Sequence, residues 1–480
     1  MAKLKNVIKQ LSDKDYQAVY DSMIETNAEK SAYLMKAIRE RQLPDELLMK
    51  EMKVSKTAYY TMRSRLNIKI EERLLEQMGS PRTDLLRKVA NLNEVLFTKK
   101  RTIALATLKK LEKELLDYDL ANELTVVYKA LKKIHINSPE YFAYSQLYNR
   151  HVAYMLAVDK AEDMLAEYFK KYGLYVLTGD QEERTGLILL MREMQNVAHL
   201  YKSHRLYVYQ SCMHVFHRLF VETEEVLEGE SIEDIFGQVQ SIFQNYKLDP
   251  LYYHLHVVFE YLQMEYYNHY KVYRESQKFV DEIDDALVNL LVNYPHYTFS
   301  GQVFITRLQR SLRQEKERKL NEENKDLLRE YEPYKHDMAT YAIYCQYLAL
   351  SNYYIGRYEE TIKILNTLLA EINIKKYPFV QFEIKTMLAL LYCLVRDYQM
   401  FNGLANSIQR QLRMYGKNSC PHVTLLIRIL RLAVSVRMVE KEKQITKIVR
   451  KLESLRVDHF VAFMYVRLDQ KLIKKLLRTA

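Results

Sequence analysis

The chain has no tryptophan, and only 10 glycines, 8 prolines and 4 cysteines in 480 residues. Glycine and proline interrupt regular backbone, so their scarcity favours long helices. The cysteines, Cys212, Cys345, Cys393 and Cys420, lie far apart and form no CxxC pair, so they read as buried, reduced thiols. No stretch approaches the ~18 uninterrupted apolar residues of a membrane helix. The charged start MAKLKNVIKQLSDKD lacks the apolar centre of a secretory signal. A cytoplasmic protein without membrane contact is therefore expected. HExxH, GxxxxGK and GxSxG are all missing, which removes the usual metalloprotease, phosphate-loop and hydrolase signatures. The expectation is a protein that is not an enzyme, with no catalytic residues, no metal and no cofactor.

What is present is apolar, aromatic and helical in period. Hydrophobic residues make up 48% and charged residues 28%, as in a folded rather than a disordered chain. The 40 tyrosines can fill space between helices while keeping a hydroxyl at the rim. No sustained alternation of strand type is visible, so the fold class is all-α. The net charge of +11 is uneven: residues 1–110 carry +9, residues 401–480 carry +12, and the middle carries −10. Basic ends around an acidic body suit an anionic partner, and they suit equally the charged caps of a helical array.

Prolines organise the second half, at Pro250, Pro295, Pro333, Pro378 and Pro421. Proline fits the first turn of a helix, so each marks the start of one. The segment Tyr341–Ile372 has Leu348, Ala349, Tyr353, Gly356, Tyr358, Thr361, Leu365 and Leu368 at helix–turn–helix spacing. Gly356 can take the left-handed conformation that ends the first helix. This segment resembles a tetratricopeptide repeat, in which Leu-Ala, an aromatic, Gly-x-Tyr and a small residue recur. The next segment repeats Leu388, Ala389, Tyr392, Asp397 and Tyr398, with Arg396 in place of the turn glycine. Its period of 40 residues exceeds that family's usual ~34. A helix pair with a break near Asp159 is expected after Pro139, and Ser231 with Asp234 signals another helix start. The resemblance implies a TPR-like solenoid of about six or seven helix pairs over residues 111–480. Its groove, lined by first helices, would bind a peptide or protein. Gln346 and Asn352 are the polar residues of the clearest first helix that would reach a bound backbone.

Residues 1–110 lie outside this series and form an expected helical N-terminal domain. Within it, about 45–78, a short helix is followed by a tight turn and by Ser55, which can cap a second helix. The order resembles the helix–turn–helix of bacterial regulators, with Val54-Ser55 after the turn and Tyr59 and Met62 at the apolar positions. Met49 and Lys53 stand where that family usually has Ala and Gly. The resemblance implies Lys56, Thr57 and Tyr60 toward base edges, and Arg63 and Arg65 on phosphates. The alternative is a wet helix face over a buried Tyr59, Met62 and Leu66.

Other clusters carry less. Cys212, His214 and His217 cannot all meet one metal on an unbroken helix. His254 and His256 point to different faces. The acidic run Asp281–Asp285 reads as a solvated face, and the charged stretch 315–332 as an exposed helix held by opposite charges four apart. The basic tail KLIKKLLRTA reads as a capping helix, with contact to an anionic surface as the alternative. Together these expectations describe an interaction protein with a peptide or protein in its groove. The second possibility is a peptide-responsive transcription regulator that binds DNA through its N-terminal segment.

Overall fold

The computed structural model describes the chain except residues 1–7, 9–12, 27, 42–44, 56–57, 60–61, 64, 67–68, 71–80, 223–229, 247–248, 372–373, 417–418, 436–440 and 479–480. Among the described residues it is all-α, with helices throughout and no strand. Among the described residues no helix is long and apolar enough to cross a membrane. The chain divides into two compact units. One comprises Met1–Ala161, Asn196–Val215 and Glu224–Leu287, the other Glu162–Gln195, Phe216–Thr223 and Val288–Ala480.

One backbone device recurs. Asp119, Lys271, Glu315, Gly356 and Arg396 all have positive φ, between 53° and 84°. Each follows the end of one helix and precedes the start of the next. The residue after each donates its N–H five residues back: Leu120 to Leu115, Val272 to Tyr267, Lys316 to Ser311, Arg357 to Asn352 and Asp397 to Tyr392, at 2.8–3.0 Å. This is the Schellman closure, which satisfies the last carbonyls of a helix. The last four of these turns are 44, 41 and 40 residues apart in sequence. Glycine alone enters this conformation without steric cost, yet only Gly356 among the five is glycine. A Cβ at Gly356 would meet nothing within 4 Å, so the cost of adding one is conformational only. Gly356→Ala is expected to lower stability by about 1 kcal/mol, and Arg396→Gly to raise it by up to about 1 kcal/mol. Denaturant midpoints of the two variants, measured side by side, check the opposite signs.

In the second unit these turns close helical hairpins. Ser300–Arg313 packs on Glu317–Glu330, Met338–Tyr354 on Tyr358–Glu371, and Pro378–Leu394 on Tyr398–Tyr415. Pro421–Val434 packs on Lys441–Glu453. Neighbouring hairpins stack: Ser300–Arg313 meets Met338–Tyr354, Tyr358–Glu371 meets Pro378–Leu394, and Pro378–Leu394 meets Pro421–Val434. Pro250, Pro378 and Pro421 open their helices as expected. Pro295 and Pro333 instead lie in the turns before helices that start at Ser300 and Met338. Asp337 caps the second of these by accepting from the Thr340 N–H at 3.2 Å.

Two other expectations change. The break near Asp159 does not occur: Glu140–Thr178 is one helix of 39 residues. No proline lies inside it, and its one glycine, Gly173, sits where a Cβ would come 2.7 Å from Phe299 and 3.1 Å from Ala339. The glycine there admits a close neighbour rather than ending the helix. The charged helix Glu317–Glu330 is not solvated all round, because Leu320, Asn321, Asn324 and Leu327 are buried. Asn321 and Asn324 each donate to Ser351 Oγ at 3.1 Å, which fixes this helix on Met338–Tyr354. The tail helix Gln470–Arg478 buries Leu472, Ile473 and Leu476 and packs on Pro421–Val434 and Lys441–Glu453, as a cap does. Ser231 caps Ile232–Asn245 through the Asp234 N–H, as its sequence signal predicts.

Candidate functional site

The first helices of the second unit are buried on nearly every side. Along Met338–Tyr354 and Pro378–Leu394, few residues remain accessible. What covers them is the chain itself. After the helix Lys441–Glu453, residues 455–469 run on without α-helix, with one 3₁₀ turn at Ala462–Tyr465. That turn packs on both Met338–Tyr354 and Pro378–Leu394. Phe460, Val461, Ala462, Phe463 and Val466 are buried beneath this strap, each no more than 5% exposed.

Polar anchors hold the strap at both ends. At its start the Phe460 N–H donates to the Val176 carbonyl at 2.6 Å. His459 Nε2 lies 2.7 Å from Glu383 Oε1, and His422 Nε2 lies 2.9 Å from the same oxygen. Glu383 stands on Pro378–Leu394, His422 in the first turn of Pro421–Val434, and His459 on the strap. The His459 ring fits because residue 179 is glycine, in a left-handed turn at φ 69°: a Cβ there would come 2.8 Å from Nδ1. At the far end the Tyr354 hydroxyl donates to the Tyr465 carbonyl at 2.6 Å and accepts from the Arg467 N–H at 3.1 Å. The Arg467 guanidinium pairs with Glu317 at 2.6 Å and lies over the Tyr354 ring. Gln309 donates to the Tyr465 hydroxyl at 3.2 Å. Burial raises the pKa of both the Tyr354 and Tyr465 hydroxyls above the ordinary value, so both stay protonated. A cleft of about 420 Å³ remains beside the strap, lined by Gln309, Leu312, Leu452, Tyr465 and Arg467 among others.

Of the groove residues expected from sequence, Gln346 is 2% exposed and donates from Nε2 to the Ala342 carbonyl at 3.3 Å. Asn352 is half-buried and accepts from Asn321 Nδ2 at 3.3 Å. Both side chains bond within the second unit's own helices.

In the N-terminal segment, Lys56, Thr57 and Tyr60 lie outside the described residues. Around them, the helix Asp45–Glu51 ends at Lys53, whose φ is 50°, and the Val54 N–H donates to the Met49 carbonyl at 3.2 Å. Lys53 thus adopts the conformation that glycine would take most cheaply. Ser55 Oγ accepts from the Ala58 N–H at 3.3 Å, the cap expected from sequence. Tyr59, Leu66 and Ile70 are buried with Met62 packed against them, in one core with Leu34, Met35, Ile38 and Leu48. Lys69 Nζ bonds Thr26 Oγ1 at 2.8 Å and the Ser22 carbonyl at 3.2 Å. Arg65 is exposed and Arg63 is half-buried.

The remaining sequence clusters have structural partners. His217 Nδ1 lies 3.0 Å from the Tyr168 hydroxyl, and Cys212 is buried with its thiol pushed up by desolvation. His256 pairs with Glu260 at 3.1 Å, and that hydrogen bond raises its pKa. In the acidic run, Asp281, Glu282 and Asp285 are exposed, as expected of a solvated face, and hydrogen bonding with Glu260 raises the pKa of Glu282. No family model matches this chain, and no curated protein or solved structure matches it either.

Proposed function

We propose that this chain is a helical-repeat interaction protein, TPR-like in its second unit, that binds an extended partner segment against the first helices of its hairpins. The observation that carries this reading is the strap. A run without α-helix, with the aromatic and aliphatic side chains of residues 460, 463 and 466 buried, packs on Met338–Tyr354 and Pro378–Leu394, the first helices that line the groove in this reading. The partner of this reading is an extended peptide with apolar side chains in that register and a basic residue near its end, matching Arg467. The near-constant 40–44-residue spacing of the Schellman turns supports the repeat assignment. Binding rather than catalysis is in keeping with the cysteines: burial pushes the Cys393 and Cys420 thiols up to about 12, far from a nucleophilic thiolate.

The test uses the full chain and a labelled synthetic peptide of residues 455–469. In the native protein the tethered strap competes at high effective concentration. A Phe460→Ser/Phe463→Ser chain weakens that competitor, and peptide affinity by fluorescence anisotropy should rise at least about tenfold over the native chain. A scrambled peptide should not bind. The milder Arg467→Ala chain removes an exposed anchor and should shift affinity in the same direction. Affinity for the native peptide no better than for the scrambled one, in both variants, would remove this reading.

A second reading is favoured by one local geometry. The helix at Asp45, the left-handed Lys53, the Ser55 cap and the buried Tyr59, Leu66 and Ile70 are in keeping with a helix–turn–helix, which supports a regulator that contacts DNA through Arg65 and its neighbours. Binding to duplex DNA should then fall steeply with salt, and Arg65→Ala should reduce the log–log slope by about 1. Flat, negligible binding at low salt would leave only the first reading.

A further inference from the structure

We propose that Glu383, His422 and His459 form a binding site for one divalent transition-metal ion of the zinc class. The three ligand atoms, one carboxylate oxygen and two imidazole Nε2 atoms, lie within 4.8 Å of one another. Their side chains are 3%, 6% and 14% exposed, so water is largely excluded. Two imidazoles and a carboxylate are a ligand set that zinc-class ions accept.

The charge balance points the same way. Glu383 is a buried carboxylate, and its ionic partners among the described residues are these two histidines, with no lysine or arginine. A buried carboxylate that stays ionised needs a cation beside it. Either an imidazolium or a bound metal ion meets that need. The metal does so with both imidazoles neutral, each giving its Nε2 lone pair in place of an N–H donated to Oε1. Bond lengths of about 2.0–2.1 Å to nitrogen and oxygen put tetrahedral ligand atoms about 3.3 Å apart. The present separations of 2.7 and 2.9 Å need to open by about half an ångström, within the reach of small side-chain rotations. Three protein ligands leave a fourth position for water or for a group from a partner.

The three ligands come from two different repeat helices and from the strap. A metal at this point therefore fastens the start of the strap to the helices beneath it. The site goes beyond the peptide-binding reading and is tested without any peptide, so the failure of either leaves the other standing.

The experiment is titration of chelator-treated full-length protein with Co²⁺, followed by its visible d–d absorption, and by competition with a chromophoric chelator for Zn²⁺. One equivalent per chain is expected. His459→Ala, on the partly exposed strap, should weaken Zn²⁺ binding by about 100-fold or more, a larger loss than that for removal of an outer-sphere partner. Glu383→Gln should do the same. His254→Ala, at an exposed histidine elsewhere, should leave binding unchanged. Far-UV circular dichroism reports whether each variant stays helical, and His459→Ala decides the matter if Glu383→Gln does not fold. Absence of stoichiometric uptake by the native protein, or uptake unaltered in His459→Ala, overturns the proposal.

Discussion

Phe463→Ala is expected to lower the stability of the chain by about 3–5 kcal/mol, the range for removing a buried phenylalanine ring. Phe463 is 1% exposed, its ring centroid lies 5.8 Å from that of His422, and its 3₁₀ turn packs on the helices Met338–Tyr354 and Pro378–Leu394. Deleting the ring removes apolar surface from contact and leaves a cavity that rigid helices fill poorly. A phenylalanine on a loose C-terminal tail would behave otherwise, since substitutions away from packed features usually stay within about 0.5 kcal/mol. The neighbouring Met464 is half-buried and makes a useful comparison: Met464→Ala should cost clearly less. Denaturant midpoints for the two variants separate a strap that is part of the core from one that merely rests on it. The same Phe463 variant should also expose the surface below, where the peptide of residues 455–469 is expected to bind.

Asp249→Ala should cost a similar amount in the other unit, for an electrostatic reason. Asp249 is 1% exposed and pairs through Oδ2 with Arg205 Nη2 at 3.2 Å, while Arg205 is itself only 12% exposed. Its second oxygen accepts from the Leu251 N–H at 3.0 Å and so caps the helix Pro250–His269. Removing the carboxylate strands a buried guanidinium, which costs about 3–5 kcal/mol, and the lost cap adds about 1 kcal/mol. Asp249→Asn keeps a cap oxygen but not the charge, so its loss should fall between the native chain and the alanine variant. Equal stability of all three would show that the pair contributes nothing, contrary to its burial. Urea unfolding followed by tyrosine fluorescence and circular dichroism measures the order.

The helices and their turns were legible in the chain because their causes are local. Gly356 announces a left-handed residue, whereas Arg396, which stands in place of the turn glycine in the next segment, takes φ 67° with no such signal in its own side chain. Ser55 and Ser231 were readable as caps from their own neighbours. The expected break near Asp159 failed because an isolated aspartate weakens a helix only slightly when nothing nearby ends it. The strap falls inside the expected solenoid of residues 111–480, which made no provision for a run without α-helix. A signal was available: Phe460–Val466 is apolar at seven consecutive positions, with no polar face such as a half-solvated helix keeps. Glu383, His422 and His459 left no such trace. They are separated by 39 residues and then by a further 37, on three different elements, and only tertiary packing brings them together.

Amide hydrogen exchange across residues 455–469 of the full-length native protein bears most directly on whether the strap is seated on Met338–Tyr354 and Pro378–Leu394. The Phe460, Met464, Val466 and Arg467 amides all donate, to Val176, Val461 and Phe463 carbonyls and to the Tyr354 hydroxyl. If the strap is seated, these amides exchange on the timescale of the buried helix Pro378–Leu394, and Phe463→Ala accelerates them selectively. Exchange of the whole segment at the rate of an unstructured peptide, while Pro378–Leu394 stays protected, would contradict the account.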